Sequence, residues 1–300
     1  MDQASQRPVA GILWMGVTGL NFVAVTAIVK HVGPGLPAAE SAFLRYLLGL
    51  VFLIPMIRPM LRARLTRRQL RLFAIRGAAH TAGVTLWFFA MTRITIAEVT
   101  AMNYMAPIYV TIGAALFLGE RLASRRILAI GLAFLGAMVI LRPGFRELSL
   151  GHLAMLLAAV TFGVSYLLAK LMSGETRPEV VVGMLSVTVA IGLAPLAALV
   201  WVPPTAAQIG WMFLVAVFAT AGHYTMTLAF AAAPVTVTQP VTFLQLLWAV
   251  LLGWAVFGED LDLWVILGGG LILGAVSFIT WREHVLRSRA LTPPPPATKV

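Results

Sequence analysis

Cysteine is absent from this chain of 300 residues, and acidic residues are scarce, with 11 Asp and Glu against 22 Lys and Arg. The lack of cysteine excludes disulfides, thiolate metal ligands and a thiol nucleophile. Charged residues of both signs make up only 11% of the chain, whereas about 25% is typical of soluble domains. Because so few charges cannot cover a water-exposed surface, the composition excludes a soluble protein.

Long apolar blocks, separated by short polar segments, fill most of the chain, and hydrophobic residues make up 60% of it. A helix needs about 20 apolar residues to cross a hydrocarbon layer roughly 30 Å thick. The blocks lack the alternation expected of strands in a membrane barrel. We therefore predict an all-α integral membrane protein with ten transmembrane helices, at residues 9–30, 37–58, 71–93, 97–118, 124–141, 151–172, 180–201, 207–232, 235–257 and 262–281.

Lysine and arginine are unevenly distributed between alternate connecting segments. They concentrate on the N-terminal side of the membrane, chiefly in 58–71 and 121–126. Because basic loops stay in the cytoplasm, we predict that both termini are cytoplasmic. Residues 282–300, with four consecutive prolines, are predicted to form a disordered cytoplasmic tail. The net charge of +11 forms no basic stripe of the kind that binds nucleic acid, so no nucleic-acid partner is predicted.

The two halves of the sequence resemble each other at a nearly constant offset, with Leu118–Leu122 aligned on Phe257–Leu261. We therefore divide the chain into two five-helix repeats, residues 9–141 and 151–281. Because five is odd, the second repeat enters the membrane from the opposite side, which gives an inverted-topology repeat around a central cavity. Rocking of two such halves exposes the cavity to either side, as is typical of a transporter. A rigid membrane scaffold is the alternative that duplication also permits.

Polar and aromatic side chains within the spans are candidates for the cavity wall, because lipid offers them no hydrogen-bond partner. His80 and His223 point the same way within their own halves, since their aligned positions are four residues apart. These histidines either line the cavity or bond neighbouring helices. The predicted cavity residues are Asn21, His80, Trp87, Asn103, Tyr104, Thr161, Tyr166, His223, Tyr224, Gln239, Thr242, Gln245 and Trp248. Pro107 and Pro240 interrupt the fourth and ninth spans and are predicted to act as hinges or gates.

Signatures of enzymes and of metal sites are missing from the sequence. There is no metalloprotease, phosphate-loop or dinucleotide-binding motif, and no carboxylate or cysteine lies at ligand spacing from a mid-span histidine. We therefore predict no catalytic residue, no metal and no cofactor. An intramembrane enzyme with Ser165 as its nucleophile is the alternative from this class.

Charged residues within the spans are rare. Arg45 lies in the second span, where an ion pair with Glu40 is one option, although five residues is not an ideal spacing on one helix face. No carboxylate is evident near mid-membrane, so coupling to protons would depend on histidine or a less obvious route, or would be absent. The fifth and tenth spans are rich in small residues, including Gly131, Gly268 and Gly274, and are predicted to be packing or oligomer surfaces.

These features together resemble the drug/metabolite transporter superfamily in its EamA-type branch. The residues that carry the resemblance are the first-span endings Phe22–Lys30 and Phe162–Lys170, then Arg45, Pro107 and Leu118–Glu120. The resemblance implies an inner-membrane transporter of a small solute, with a cavity lined by helices of both repeats. It also implies that the fifth and tenth spans lie outside the helices that form the cavity.

The third-span stretch Gly77–His80 is most similar to the YddG-type amino acid exporters, although Ala79 stands where a tyrosine is expected. From this resemblance we predict export of amino acids, aromatic or otherwise amphipathic, and of similar small metabolites by alternating access. The alternative within transport is a phosphorylated or nucleotide-sugar solute. That alternative requires cations deep in the cavity, whereas Lys30 and Lys170 lie at span ends.

Overall fold

The computed structural model describes residues 8–118, 124–144, 147–173, 175–233 and 238–291. The α-helices within these ranges are α1 Pro8–Val32, α2 Ala38–Gly49, α3 Ile54–Arg62, α4 Arg67–Met91, α5 Ile96–Asn103, α6 Ala106–Leu118, α7 Ser124–Leu141, α8 Leu150–Ser173, α9 Pro178–Leu199, α10 Ala206–Ala232, α11 Phe243–Phe257 and α12 Leu263–Leu291. Most of the repeat match at Leu118–Leu122 and the end of the predicted tail lie outside the described residues.

These helices confirm the predicted all-α membrane fold. Seven helical segments of the described chain are long and apolar enough to cross a membrane. The other three predicted spans correspond to shorter or less apolar helices. Two of them are the apolar stretches Ile127–Leu141 in α7 and Leu244–Phe257 in α11, and the third is α4, which has a basic first turn. Two spans consist of two helices each, because the 3-10 turn Leu50–Leu53 separates α2 from α3 and a break at Tyr104 separates α5 from α6.

Contacts between the two halves follow a pseudo-twofold pattern. Helix α1 packs on α10 and α4 packs on α8, so the first span of each half contacts the third span of the other half. The equivalent helices α2 and α9 pack on each other, as do α7 and α12. The α1–α10 pair is antiparallel, because Gly11 lies against Ala233 while Phe22 lies against Gly222. This arrangement is the inverted repeat that an odd number of spans per half requires.

The third span of each half, α4 in the first and α10 in the second, begins with the same capping motif. The Thr66 hydroxyl accepts a hydrogen bond from the Gln69 backbone N–H at the start of α4, and the Gln69 side chain accepts one from the Thr66 backbone N–H. Thr205 and Gln208 form the same pair of bonds at the start of α10. Each capping box provides partners for N–H groups that the first helical turn leaves unpaired, so the two halves start this helix in the same way.

Glycines bring α7 and α12 into close contact. A Cβ on Gly136 would lie 2.6 Å from the Gly268 carbonyl oxygen, and a Cβ on Gly268 would lie 2.6 Å from the Gly136 carbonyl oxygen. Small residues let helices approach closely in a membrane, and at this crossing they serve packing within the chain. Gly131 and Gly274 have nothing within 4 Å of an added Cβ, and an oligomer contact at those positions stays a prediction.

Ion pairs join the two halves on the side predicted to face away from the cytoplasm, called the outer side below. Lys30, near the end of α1, pairs with Glu259, which follows α11. Glu98 in α5 and His152 in α8 lie 3.2 Å apart, and each side chain is only 5% exposed. The outer ends of the two repeats are therefore held together by an ion pair and by a histidine–carboxylate contact, both largely withdrawn from water.

An exposed ion pair lies on the opposite side of the membrane. Arg68 donates hydrogen bonds of 2.7 and 2.8 Å to the two carboxylate oxygens of Glu175. These bonds hold the pKa of Glu175 below its ordinary value. Because both side chains are open to solvent, the pair connects the first turn of α4 to the segment before α9 without contributing much stability.

The last helix is longer than predicted. Helix α12 continues to Leu291, beyond the predicted span end at residue 281, so the first part of the segment predicted to be a disordered tail is helical. Residues 282–291 contain neither glycine nor proline and include several good helix formers. The helix therefore extends from the membrane until shortly before the proline run.

Candidate functional site

His80 forms the centre of a hydrogen-bonded group that connects three helices. Its Nε2 atom lies 3.1 Å from the hydroxyl of Tyr46 on α2, and its Nδ1 atom lies 3.1 Å from the hydroxyl of Ser165 on α8. All three side chains are buried. Because Ser165 belongs to the second repeat and the other two residues to the first, this predicted cavity residue also bonds neighbouring helices across the two halves.

Aromatic rings lie beside His80 and form what we call the aromatic wall, which consists of Trp87, Phe162 and Tyr166. The ring centre of Phe162 is 5.0 Å from that of His80, and Tyr166 stacks on Phe162 with 13° between the ring planes. Trp87 meets Phe162 edge-on at 6.3 Å. Glycine at position 83 permits this approach, because an added Cβ would lie 2.9 Å from the Phe162 ring. Tyr166 is 41% exposed, so the wall is open on one side.

Arg45 lies next to this group, on α2. Its guanidinium carbon is 4.0 Å from the centre of the Tyr46 ring, and its side chain is half-buried. The ion pair with Glu40 that the sequence allowed does not form. Glu40 is fully buried and instead accepts a hydrogen bond of 3.0 Å from the Val202 N–H. The charge of Arg45 is therefore not neutralised by the carboxylate on its own helix.

A second arginine, Arg76, lies one turn before His80 on α4. It is 6% exposed and donates a hydrogen bond of 3.0 Å to the Val181 carbonyl oxygen. Neither Arg76 nor Arg45 takes part in an ion pair in the described part of the chain. Both arginines interact electrostatically with His80, and Arg45 also interacts with His223. We call these four residues the arginine–histidine cluster.

His223 is the exposed member of the cluster. Its ring meets Phe22 of α1 edge-on, with ring centres 5.2 Å apart, and α10 packs against both α1 and α2. Polar and charged groups at membrane depth face a water-filled cavity or a polar partner rather than lipid. That the exposed His223 and the half-buried Arg45 line the central cavity stays a prediction.

An apolar space lies between α1, α10 and α11. It has a volume of about 610 Å³ and is lined by Leu20, Asn21, Val23, Ala24, Phe218, Trp248, Leu251 and Leu252. Asn21 and Trp248 were predicted to line a cavity, and the rest of this lining is apolar. No member of the arginine–histidine cluster borders it. The residues predicted for one cavity are thus divided between a polar cluster and an apolar space.

The fourth and ninth spans contact each other where their regular helices are interrupted. Helix α5 ends at Asn103 and α6 begins at Ala106, directly before Pro107. The 3-10 turn Gln239–Thr242 precedes α11 in the same way and contains Pro240. The Tyr104 hydroxyl donates a 2.7 Å hydrogen bond to the Thr242 carbonyl oxygen. Each break thus lies beside the proline predicted to cause it, and a hinge or gate role for both prolines stays a prediction.

Several predicted cavity residues bond their own helix. Asn21 donates a hydrogen bond to the Val17 carbonyl oxygen, and the Thr161 hydroxyl donates to the carbonyls of Leu157 and Ala158. Such bonds satisfy a polar side chain in a membrane without any partner from another helix. Of the other predicted residues, Asn103 is half-buried at the end of α5, Tyr224 is exposed, Gln245 lies against Gly19, and the Gln239 side chain is outside the description.

Three residues of the site were missed as cavity residues in the sequence. Tyr46, Ser165 and Phe162 are the direct neighbours of His80. Phe162, Ser165 and Tyr166 are at positions i, i+3 and i+4 of α8, so all three lie on the same face of the helix. Once Tyr166 was predicted to line the cavity, this spacing was a signal for Phe162. The sequence held no comparable signal for Tyr46, because it lies on another helix.

Replacing His80 with phenylalanine is expected to lower the melting temperature of the detergent-purified protein by several degrees. An aromatic ring is kept, but the buried hydroxyls of Tyr46 and Ser165 lose their partner, at a cost of about 1–3 kcal/mol each. Tryptophan fluorescence during heating measures the transition. Tyr46→Phe removes only one of the two bonds and serves as the matched control, which should be destabilised less. A His80→Phe variant as stable as the parent would contradict this bonded arrangement.

Comparison with protein families and individual proteins agrees with the fold. The sequence model of the EamA-like transporter family matches residues 9–142 and 149–281. A riboflavin transporter of Rhizobium johnstonii is 31% identical and covers 94% of both chains. The pseudopaline exporter of Pseudomonas aeruginosa is 27% identical over 89% of this chain and 94% of its own.

A solved protein chain also matches along nearly the whole length. It is 18% identical, the match covers 95% of this chain and 97% of the other, and the TM-score is 0.56, which shows the fold alone. The family match, in contrast, is a match of sequence and includes all ten spans. The protein therefore belongs to the EamA-like transporter family.

Proposed function

We propose that this membrane transporter moves a small metabolite that carries a flat aromatic ring, with riboflavin as the first candidate. The observation that supports the proposal is the aromatic wall of Trp87, Phe162 and Tyr166 beside His80 at mid-membrane. Aromatic side chains bind the faces of flat rings, while a few polar groups orient their edges. Riboflavin combines a flat tricyclic ring with polar edges and a hydroxylated chain.

The relatives support the same candidate. The riboflavin transporter of Rhizobium johnstonii matches nearly the whole length of this chain, so its similarity includes every span that contributes to the aromatic wall. The relatives reported above are named as transporters, and the chain is accordingly a transporter of its family rather than an enzyme or a scaffold.

Amino acid export, the narrower function that the sequence suggested, is the second candidate. The relatives are named for riboflavin and pseudopaline, so they do not favour amino acids or the YddG-type exporters in particular. An aromatic amino acid nevertheless fits a site that combines a ring-binding wall with a cation. Arg45 offers a partner for its carboxylate, next to the rings that would hold its side chain.

Transport by this protein would follow alternating access. The two inverted repeats rock against each other, so the central cavity opens first to one side of the membrane and then to the other. The Lys30–Glu259 ion pair and the Glu98–His152 contact connect the repeats on the outer side. Opening the cavity to that side requires these pairs to separate, which makes them candidates for an outer gate.

Purified protein in liposomes is expected to take up radiolabelled riboflavin with saturable kinetics. Tyr166→Ala is expected to slow uptake at low riboflavin concentration by about two- to tenfold, since an aromatic pair contributes about 0.5–1.5 kcal/mol. Trp264→Ala is the matched control, because Trp264 is 52% exposed on α12, outside the aromatic wall. Protein-free liposomes give the background. The proposal fails if neither riboflavin nor any aromatic amino acid shows saturable uptake.

A further inference from the structure

We infer that the transported metabolite carries an anionic group, a carboxylate or a phosphate, and that Arg45 is the residue that binds it. This inference rests on the proposed function and narrows it, because riboflavin itself is neutral and only ring-bearing compounds with an anionic group, such as a flavin phosphate or an aromatic amino acid, would meet it. It addresses a feature that the aromatic wall does not explain, namely positive charge within the membrane that no described carboxylate neutralises.

The first step concerns charge balance in the arginine–histidine cluster. Arg45 and Arg76 both lie in helices that cross the membrane, and neither takes part in an ion pair within the described ranges. Glu40, the carboxylate nearest to Arg45 along the chain, is bonded to the Val202 N–H instead. Charges at this depth are costly unless they are paired or face water. An anionic cargo would supply the missing negative charge.

The second step separates the two arginines. Arg76 is almost fully buried, and the Val181 carbonyl oxygen holds its guanidinium, which indicates a structural role. Arg45 is half-buried, and the contact that positions its guanidinium is the face of the Tyr46 ring. A cation on a ring face keeps the N–H groups at its edge available as donors. The planar fork of those donors matches the oxygens of a carboxylate or phosphate.

A chain of contacts connects the cation to the aromatic wall. Tyr46, on which Arg45 lies, is bonded through its hydroxyl to His80, and His80 in turn contacts the Phe162 ring. His223 also interacts electrostatically with Arg45. One small molecule can therefore place a ring against the wall while its anionic group reaches Arg45. Such a site selects a cargo by two features at once.

The test measures binding of matched neutral and anionic compounds to purified full-length protein by titration calorimetry. Riboflavin and its phosphate ester FMN form one pair, and indole-3-propionamide and indole-3-propionate form the other. We expect the anionic member of at least one pair to bind about tenfold or more tightly than its neutral partner, as charge-assisted bidentate bonds are the strong ones. Arg45→Gln is expected to reduce that ratio to about one, whereas Arg45→Lys, which keeps the charge, should retain part of it.

The control and the outcomes separate this inference from the proposed function. Arg71→Gln removes one positive charge from the exposed start of α4 and should leave the ratio unchanged. A preference confined to FMN supports a phosphate cargo, and one confined to indole-3-propionate supports a carboxylate cargo. If neutral and anionic partners bind the parent equally, or if Arg45→Gln leaves the ratio unchanged, the inference is wrong while ring binding stands. If none of the four compounds binds the parent, the proposed function fails and the inference with it.

Discussion

Leucine in place of Gly136 is expected to abolish the yield of monodisperse protein. A Cβ at this position would lie 2.6 Å from the Gly268 carbonyl oxygen and 2.7 Å from the Ile272 side chain. Because part of the obstacle is backbone, no change of rotamer relieves it, and α7 and α12 must move apart along the whole crossing. Overpacking costs about 1–3 kcal/mol in a well-packed core and sometimes more. Gel filtration of detergent extracts, followed by tryptophan fluorescence, measures the yield.

Matched substitutions on the same helices control for the change in composition. Gly131→Leu in α7 and Gly274→Leu in α12 add the same side chain where nothing lies within 4 Å of the new Cβ, so both should be purified at close to the parent yield. Gly268→Leu should behave like Gly136→Leu. Equal yields for Gly136→Leu and Gly131→Leu would show that the two helices do not cross at these glycines. A change of oligomeric state in the Gly131 or Gly274 variant alone would support the predicted oligomer surface.

The fold was predictable from the sequence because the membrane restricts the possible structures. A backbone in lipid must satisfy its own hydrogen bonds, so continuous apolar blocks predict helices, and an odd number of spans in each repeat predicts inversion. The division of two spans into separate helices was less accessible. Pro107 was recognised as an interruption of the fourth span, whereas the 3-10 turn Leu50–Leu53 of the second span contains no proline and was not predicted. Pro55 follows this turn inside the first turn of α3.

The candidate site was predictable only in part. Polar residues within spans can be recognised in a sequence, but which of them meet depends on how the helices rotate. His80 meets Tyr46 and Ser165 across three helices, while Thr161 turns back to its own helix. Even within α2 the sequence did not decide whether Glu40 pairs with Arg45. Glu40 lies five residues before Arg45, about 140° around the helix from it, and it accepts a hydrogen bond from the Val202 N–H in the segment after α9 instead.

The pairing of charges at the ends of spans was the feature least predictable from the sequence. From the sequence, Lys30 and Glu259 are an end-of-span cation and a loop carboxylate, and each would be hydrated if it stood alone. Their pairing depends on the outer ends of α1 and α11 lying side by side, which is a result of the pseudo-twofold packing of the halves. The pairs of residues that join the repeats are therefore set by tertiary structure, and this is also where a transporter must change most.

Replacing Glu259 with glutamine is expected to open the outer side of the protein more often. The Glu259 carboxylate pairs with Lys30 and also accepts a 3.0 Å hydrogen bond from the Ile96 N–H, so it connects the outer ends of three spans. Its side chain is 10% exposed. Removing one partner of a buried pair leaves the other charge uncompensated, at a cost of about 3–5 kcal/mol when burial is complete, and less here. The lost stabilisation belongs to the state that is closed on the outer side.

The absence of cysteine makes this shift directly measurable. Ala27→Cys places one thiol on α1, one turn before Lys30 and packed against the buried residues Val23, Ile96 and Ala249. A membrane-impermeant maleimide should label it about tenfold faster in the Glu259→Gln background. Each 1.4 kcal/mol of lost stability in the closed state raises the ratio of open to closed protein about tenfold. Asp260→Asn is the matched control, since Asp260 is exposed in the same loop and should leave the rate unchanged.

A double-mutant cycle separates the ion pair from a general loosening of the loop. Lys30→Met alone should raise the labelling rate about as much as Glu259→Gln, and the double variant should label no faster than either single variant, because both changes remove the same interaction. Additive effects would mean that the two residues act independently. If labelling of Ala27→Cys is as slow in both single variants as in the parent background, the pair does not hold the outer side closed. The outer gate would then have to be sought elsewhere, first at Glu98 and His152, whose side chains join the same two repeats.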